Sequence, residues 1–272
     1  HDALPILAAG GAAVYVDVTA AEGMEALALE ALGRGWGVVL ANKRPLAGHL
    51  EVFRRLTASH RLRHEATVGA GLPWIETLVH LLDTGDRVLS LEAAVSGTLG
   101  FLCSQLEAGV PFSTAVAEAR ARGYTEPDPR DDLSAGDVRR KALILARMLG
   151  LALNWEDLPA EPLYPAEWDT LSIDGFVARL PELDADYAAR MATALAHGQT
   201  LRYAVTIADG RCTAGLRQVA ANSPLGALQG PDCLLALQTE RYRVAPLVIR
   251  GPGAGAEVTA AGVYADIITL GL

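Results

Sequence analysis

The chain has 272 residues, 51% of them hydrophobic and 20% charged, with a formal net charge of −9. That is enough apolar sequence for one large globular domain or two smaller ones, and the acidic balance with 23 scattered basic residues argues against a nucleic-acid surface. No apolar run is long enough to span a bilayer, and Cys103, Cys212 and Cys233 lack CxxC spacing and neighbouring His, which argues against a structural zinc or a disulfide framework and fits a reducing cytoplasm.

The first residues, HDALPILAAGG, lack the basic start of a secretory signal, and the absent initiator Met implies a piece of a longer chain. Residues 12–20, AAVYVDVTA, read as a buried strand, 22–35 as a helix closed by Gly33 and Gly35, and 36–43, WGVVLANK, as a second continuous apolar strand. Strand, helix, strand is a βαβ unit with parallel strands, whose ligands bind at the strands' carboxyl ends, here Thr19 and Asn42–Lys43. A helix over 46–59 follows. Residues 63–85 give a short strand, a glycine loop around Gly69 and Gly71, and a helix from near Pro73. A strand at 87–95, the turn Ser96–Thr98, a helix to about 108 and another over 113–122 lead to an acidic loop.

That loop, GYTEPDPRDDLSAGDVRRKALILARML (123–149), gathers Glu126, Asp128, Asp131, Asp132 and Asp137 at the entrance of a helix. Ser134 with Asp137 three residues later reads as a variant capping box, so the helix is expected to begin near 134. Val138, Ala142, Leu145 and Leu149 mark its buried stripe, and Gly150 ends it. Asp137 and Lys141, four apart, point to one face. Taken alone they would be an ordinary surface pair at a helix start. The two prolines of EPDPRDD change that, because they restrict the backbone and hold the acids in defined positions. Arg130 reads as structural, neutralising part of the cluster. The expected result is a carboxylate-lined pocket containing one amine.

Beyond 150 the chain is irregular and Pro-rich to about 170, with helices at 173–180 and 184–197, a hairpin over 201–220 turning at Asp209–Gly210, strands near 233–239 and 245–250, and a last helix. Gly251, Gly253 and Gly255 imitate a GxGxxG dinucleotide fingerprint, but Val258 stands where the third glycine belongs. The fold class read from this order is α/β with α+β: an incomplete Rossmann-like nucleotide-binding domain and a mixed-sheet domain covered by helices.

Together ANKRPLA, EATVGAGLP, SGTLGF, GYTEPDPRDDLSAGDVRRK and GPGAGAEVTAAGVYADI resemble homoserine dehydrogenase over nearly the whole chain. PAEW (165–168) and the helical region after it look more like the dehydrogenase half of the fused aspartokinase–homoserine dehydrogenases. The resemblance implies NADP- or NAD-dependent reduction of aspartate 4-semialdehyde to homoserine, towards threonine and methionine. It makes Lys141 the proton donor, sets Lys43 between cofactor and substrate, and places Glu126, Asp132, Asp137 and Thr98 around the substrate. Thr19, Lys43, Gly123 and Gly255 fall at the cofactor, although Ala20 and Ala21 stand where the family carries more hydroxyls. Glu65 and the carbonyls of Val68 and Ala70 would hold a structural monovalent cation, sodium or potassium. The family begins with a βαβ repeat carrying the phosphate loop, and this sequence starts after it, so the chain is expected to be inactive alone. The implied domains are 1–66 with 252–272, binding the cofactor, and 67–251, for catalysis and dimerisation, in a cytoplasmic homodimer or higher homo-oligomer without nucleic acid or membrane. The alternatives are a non-catalytic oligomerisation module derived from such a dehydrogenase and a magnesium-dependent hydrolase built on DPRDD, against which the lack of a nearby His and the presence of Lys141 count.

Overall fold

The computed structural model describes residues 13–271; residues 1–12, which the expected first domain and first strand include, and Leu272 lie outside them. The chain starts with β1 (Val14–Asp17), passes through α1 (Glu25–Gly33) to β2 (Gly37–Leu40), and continues by α2 (Arg44–Ala47) and α3 (Leu50–Thr57) to a short β3 (Leu62–Arg63). These strands form a parallel sheet in the order β1-β2-β3, with Val14 opposite Gly37 and Val38 opposite Leu62. The central strand is an unbroken GVVL because both its faces are covered. Val38 and Leu40 enter the main core with Ala28 and Leu56, whereas Val39 packs with Ala66 and Val263 on the other side.

The helix expected over 46–59 is two helices, because the chain breaks at Gly48. A side chain holds the break open. The buried Arg147 guanidinium donates to the carbonyls of Leu46 and Gly48, each at 2.7 Å, and to that of Leu153 at 2.9 Å. Two carbonyls at the break, those of Leu46 and Gly48, are thus satisfied by a side chain about 100 residues downstream.

A short 3₁₀ turn at Glu65–Thr67 and α4 (Trp74–Asp83) lead to the second sheet. Its first strand, β4 (Val88–Ala94), is followed by α5 (Gly97–Glu107), α6 (Phe112–Ala121), α7 (Arg130–Leu133), α8 (Gly136–Met148), α9 (Ile173–Arg179) and α10 (Asp184–Ala196). Then come β5 (Gln199–Ala208), β6 (Arg211–Ala220), β7 (Asp232–Thr239) and β8 (Leu247–Pro252). The strand order is β6-β5-β4-β7-β8. All neighbouring strands of this sheet are antiparallel, so among the described residues the mixing expected from sequence reduces to one parallel bridge, Ala160 with Ala214. The β5–β6 hairpin turns at Asp209 and Gly210, both at positive φ (51° and 73°), the geometry a two-residue Asp-Gly turn supplies.

Alternation along β5 separates two environments. Leu201, Tyr203, Val205 and Ile207 face the main core beneath the helices, while Ala204 faces a smaller cluster with Leu225 and Leu228, supplied by the segment after β6. After β8, α11 (Ala256–Thr269) turns back onto the parallel sheet. There it approaches closely: a Cβ on Gly71 would lie 2.2 Å from the Val258 carbonyl, so only glycine lets the two backbones meet. Among the described residues no helix is long and apolar enough to cross a membrane, and the three cysteines are free and buried.

Candidate active site

The carboxyl ends of β1 and β2, the start of α5, the acidic loop, the N-terminal turns of α8 and the β8–α11 loop border one cavity of about 870 Å³. Lys43, Thr98, Gly123, Glu126, Asp132, Asp137, Lys141 and Gly255 all line it, drawn from segments more than 200 residues apart in the chain. Of the residues the sequence places at the cofactor, Thr19 does not reach the wall; its neighbour Ala20 does. The Thr19 hydroxyl is spent internally, donating to Asp17 Oδ1 at 2.7 Å and accepting from the Ala21 N–H at 3.1 Å.

Asn42, which the sequence reading sets with Lys43 at a ligand-binding strand end without giving it a role, fixes this corner. Its amide donates to Asp17 Oδ2 and to the Ala21 carbonyl, both at 2.9 Å, and its carbonyl accepts the Arg44 N–H at 3.0 Å. The buried Asp17 and Asn42 therefore tie the ends of β1 and β2 together and set the position of Lys43.

Asp137 is the hub of the cavity. One carboxylate oxygen lies 2.9 Å from Lys141 Nζ, the other 3.4 Å from Lys43 Nζ. Burial would raise the Asp137 pKa, but the ammonium of Lys141, then that of Lys43, overrides it and holds the carboxyl well below the usual carboxylate range. Burial works in the opposite sense on Lys141, lowering its pKa, and Asp137 again outweighs it, so the amine pKa is raised and Lys141 carries its proton at neutral pH. Lys141 also donates to the Val95 carbonyl at 2.7 Å, which aims Nζ across the end of β4.

The helix start differs from the expected capping box. Ser134 closes α7, and Ala135, at φ 58°, makes the left-handed turn into α8, which begins at Gly136. The Ser134 hydroxyl accepts the Gly136 N–H at 3.4 Å and does not reach the third residue of the helix. The reason is charge: Asp137 is drawn into the cavity by two ammonium groups and is not available to close a box.

The acidic loop divides its carboxylates. Asp128 is bound by Arg130, whose guanidinium also donates to the Asp169 and Leu171 carbonyls at 3.0 and 2.8 Å, so this pair anchors the loop outside the cavity. Asp132 Oδ2 accepts the Glu126 N–H at 2.9 Å, and burial raises its pKa. Thr98 donates to the Tyr124 carbonyl at 2.5 Å, so its hydroxyl braces the loop against α5. Glu126 remains exposed on the cavity wall.

Glu65 and Ala70 lie against α11, away from this cavity: Glu65 meets Asp266, and the Ala70 carbonyl would lie 2.8 Å from a Cβ on Gly262, while Val68 is buried in the main core. The Glu65 carboxylate accepts the N–H groups of Trp74, Ile75 and Glu76 at 2.7, 2.8 and 2.8 Å, capping α4. Its own N–H donates to Asp266 Oδ2 at 2.9 Å. Burial, with the Asp266 charge adding to it, pushes Glu65 up to about 7, and burial lifts Asp266 to about 6.

A family model described as homoserine dehydrogenase matches residues 73–268. The chain is 43% identical over 261 residues to a bifunctional aspartokinase/homoserine dehydrogenase of Haemophilus influenzae, a match covering 94% of this chain and 32% of that protein, so it spans about a third of that relative. It is 39% identical over 281 residues to a homoserine dehydrogenase of Emericella nidulans, covering 97% of this chain and 76% of that one. Among solved structures it is similar to a hyperthermophilic archaeal homoserine dehydrogenase in complex with NADPH, at 25% identity and a TM-score of 0.71, covering 95% of this chain and 71% of that chain.

Proposed function

The chain belongs to the homoserine dehydrogenase family, and from that premise we propose that its cavity is the site where aspartate 4-semialdehyde and homoserine are interconverted with NADP or NAD. The observation that carries this reading is the pair of lysines on one carboxylate, Lys141 and Lys43 on Asp137, facing Glu126 and Asp132 across the same cavity. The dinucleotide fits the wall made by Ala20, Lys43, Gly123 and the loop to Gly255, where backbone without bulky side chains faces the strand ends. When bound, its nicotinamide supplies or accepts the hydride.

The protein's own groups do the rest. Reduction of the aldehyde leaves an alkoxide, and Lys141, charged and held by Asp137 and the Val95 carbonyl, donates the Nζ proton to it. Lys43 adds a second positive charge where the oxyanion develops. Glu126 and Asp132 receive the substrate ammonium. The test is reduction of NADP or NAD by homoserine, followed through the absorbance of the reduced nicotinamide; no turnover in a length of chain that binds the dinucleotide would remove the assignment. Asp132→Ala is expected to weaken apparent homoserine affinity by about 1–3 kcal/mol, with a smaller change in maximal rate. Unchanged KM would take Asp132 out of the substrate site.

Residues 13–66 with 252–271 supply the cofactor side in this reading, and 67–251 the catalytic side, with a homodimer or higher homo-oligomer built through the five-stranded sheet. Sedimentation as a monomer at micromolar concentration would contradict that assembly.

Glu65, with the Val68 and Ala70 carbonyls, fits a structural monovalent cation. Glu65 Oε2 takes only one N–H donor, and neither Glu65 nor Asp266 forms an ion pair among the described residues. Both folded-state pKa values lie above their ordinary ones, so the fold favours the protonated acids. Their contribution is fully present below about pH 4 and is lost as pH rises to about 7. In sodium- and potassium-free buffer, Glu65→Gln is therefore expected to flatten the fall in melting temperature over that range. Sodium or potassium chloride should restore wild-type stability near pH 7 more than tetramethylammonium chloride does. Parallel pH profiles for the two proteins and no ion preference would rule the site out.

A further inference from the structure

Cys233, the second residue of β7, is fully buried and has no part in the chemistry above, yet it stands where two parts of the site meet. The antiparallel register that pairs Ala94 with Leu234 sets Val95 opposite Cys233, and the Val95 carbonyl is the one that holds Lys141 Nζ at 2.7 Å. On its other side Cys233 pairs with Gly251 of β8, just before the chain enters the β8–α11 loop. That loop presses on the thiol: a Cβ on Gly253 would lie 2.6 Å from the Cys233 Cβ and closer still to Sγ, so only glycine passes there. The Gly253 N–H faces the sulfur and has no other partner among the described residues, although Gly253 is buried. The charged groups around the thiol are Lys141, Asp232 and Asp137; burial outweighs the lysine and raises the thiol pKa, so Cys233 is neutral.

We propose that Cys233 is a positioning residue that ties the β8–α11 loop to the proton donor, its sulfur accepting the Gly253 N–H on one side and abutting the Lys141 ammonium on the other. The inference rests on the proposed function, in which Lys141 gives the proton and the loop to Gly255 faces the dinucleotide. Hydride and proton must reach the two ends of one carbonyl bond, so the loop and Nζ have to keep a fixed relation. Asp137 and Val95 hold two of the three Nζ donors and leave the third for the substrate oxygen. Neither of them touches the loop. Cys233 does, because β7 runs between β4, which carries Val95, and β8, which delivers Gly253. A side chain without an acceptor at this position would leave the Gly253 N–H buried and unpaired, and the loop free to shift away from Lys141.

The test compares Cys233→Ala with Cys233→Ser, which leave nearly the same side-chain volume and differ in the acceptor. In the chain itself, hydrogen exchange at the Gly253 amide, followed by NMR, is expected to be protected in wild type and in Cys233→Ser and about 10-fold faster in Cys233→Ala. In a length of chain that binds the dinucleotide, Cys233→Ala should lower kcat by about 5- to 10-fold and enlarge the solvent deuterium isotope effect, with apparent homoserine affinity unchanged. Cys233→Ser should recover most of that loss. A role in packing alone predicts the opposite order, because a buried hydroxyl costs more than a methyl group. An unprotected Gly253 amide in wild type overturns the proposal, and it is read without any variant, so it and Cys233→Ser decide if Cys233→Ala does not fold. Equal losses in the two variants, or full turnover in a folded Cys233→Ala, also overturn it. So does weaker homoserine binding at unchanged kcat, which would make Cys233 a support of substrate binding and not of proton delivery. Absence of turnover in wild type removes the proposed function itself, and this inference with it.

Discussion

Lys141→Met is expected to lower turnover by about 10²–10⁴-fold in a length of chain that binds the dinucleotide, with little change in apparent homoserine affinity. Methionine matches the aliphatic stem of lysine and carries no proton, so packing is kept while the acid is removed. The site gives water little opportunity to substitute, because the Lys141 side chain is only 12% exposed and its ammonium sits between Asp137 and the Val95 carbonyl. Asp137 does not lose both of its counter-charges in the variant, since Lys43 lies 3.4 Å away. The loss should therefore appear in kcat and not in folding. Lys141→Arg separates charge from proton transfer: it keeps the cation near Asp137, but a guanidinium gives up its proton poorly, so turnover should stay low. An ordinary surface pair predicts neither result, only a stability change below about 1 kcal/mol. Steady-state kinetics on both variants decide, and near-normal turnover for Lys141→Met would take the amine out of the mechanism.

What could be read in the sequence follows from how local its causes are. The βαβ run was legible because a strand covered on both faces must be continuously apolar, as Gly37–Leu40 is. The acidic loop was legible because its prolines and carboxylates are adjacent in the chain and Asp137 and Lys141 are one helical turn apart. The start of α8 misled, since a serine followed by an acid at the third position has the local form of a capping box, and the carboxylate instead obeys Lys43, from 94 residues upstream. The place of Thr19 away from the cavity wall was hidden for a similar reason: its hydroxyl is consumed by Asp17, and nothing in the local pattern reveals that partner's burial.

Buried arginines were the least legible feature, and Arg202 carries the largest expected stability effect. In the alternating strand LRYAVTIA an arginine reads as a solvent-facing residue, yet Arg202 is 1% exposed. Its Nη2 donates to Glu107 at 2.7 Å and to the Gly226 and Leu228 carbonyls at 2.7 and 2.8 Å, while Nη1 donates to Leu201 and Thr200. One cation thereby pins the segment after β6 onto the sheet, and that segment runs to Pro231, whose carbonyl would lie 2.8 Å from a Cβ on Gly97 at the cavity wall. Arg202→Met keeps much of the apolar volume but leaves two buried carbonyls without donors and Glu107 without its partner. A cost on the order of 3–5 kcal/mol is expected, as for other broken buried pairs. Arg202→Lys should recover only part of it, because one ammonium cannot span acceptors arranged around a fork. Denaturant unfolding of the three proteins gives the stability terms. Because the pinned segment abuts the Ser96–Thr98 turn, Arg202→Met should also weaken homoserine binding, although Arg202 touches no part of the cavity. A loss below about 1 kcal/mol would show that Arg202 is merely tolerated in the sheet; a full loss with unchanged homoserine affinity would show that the segment after β6 supports the fold but not the cavity.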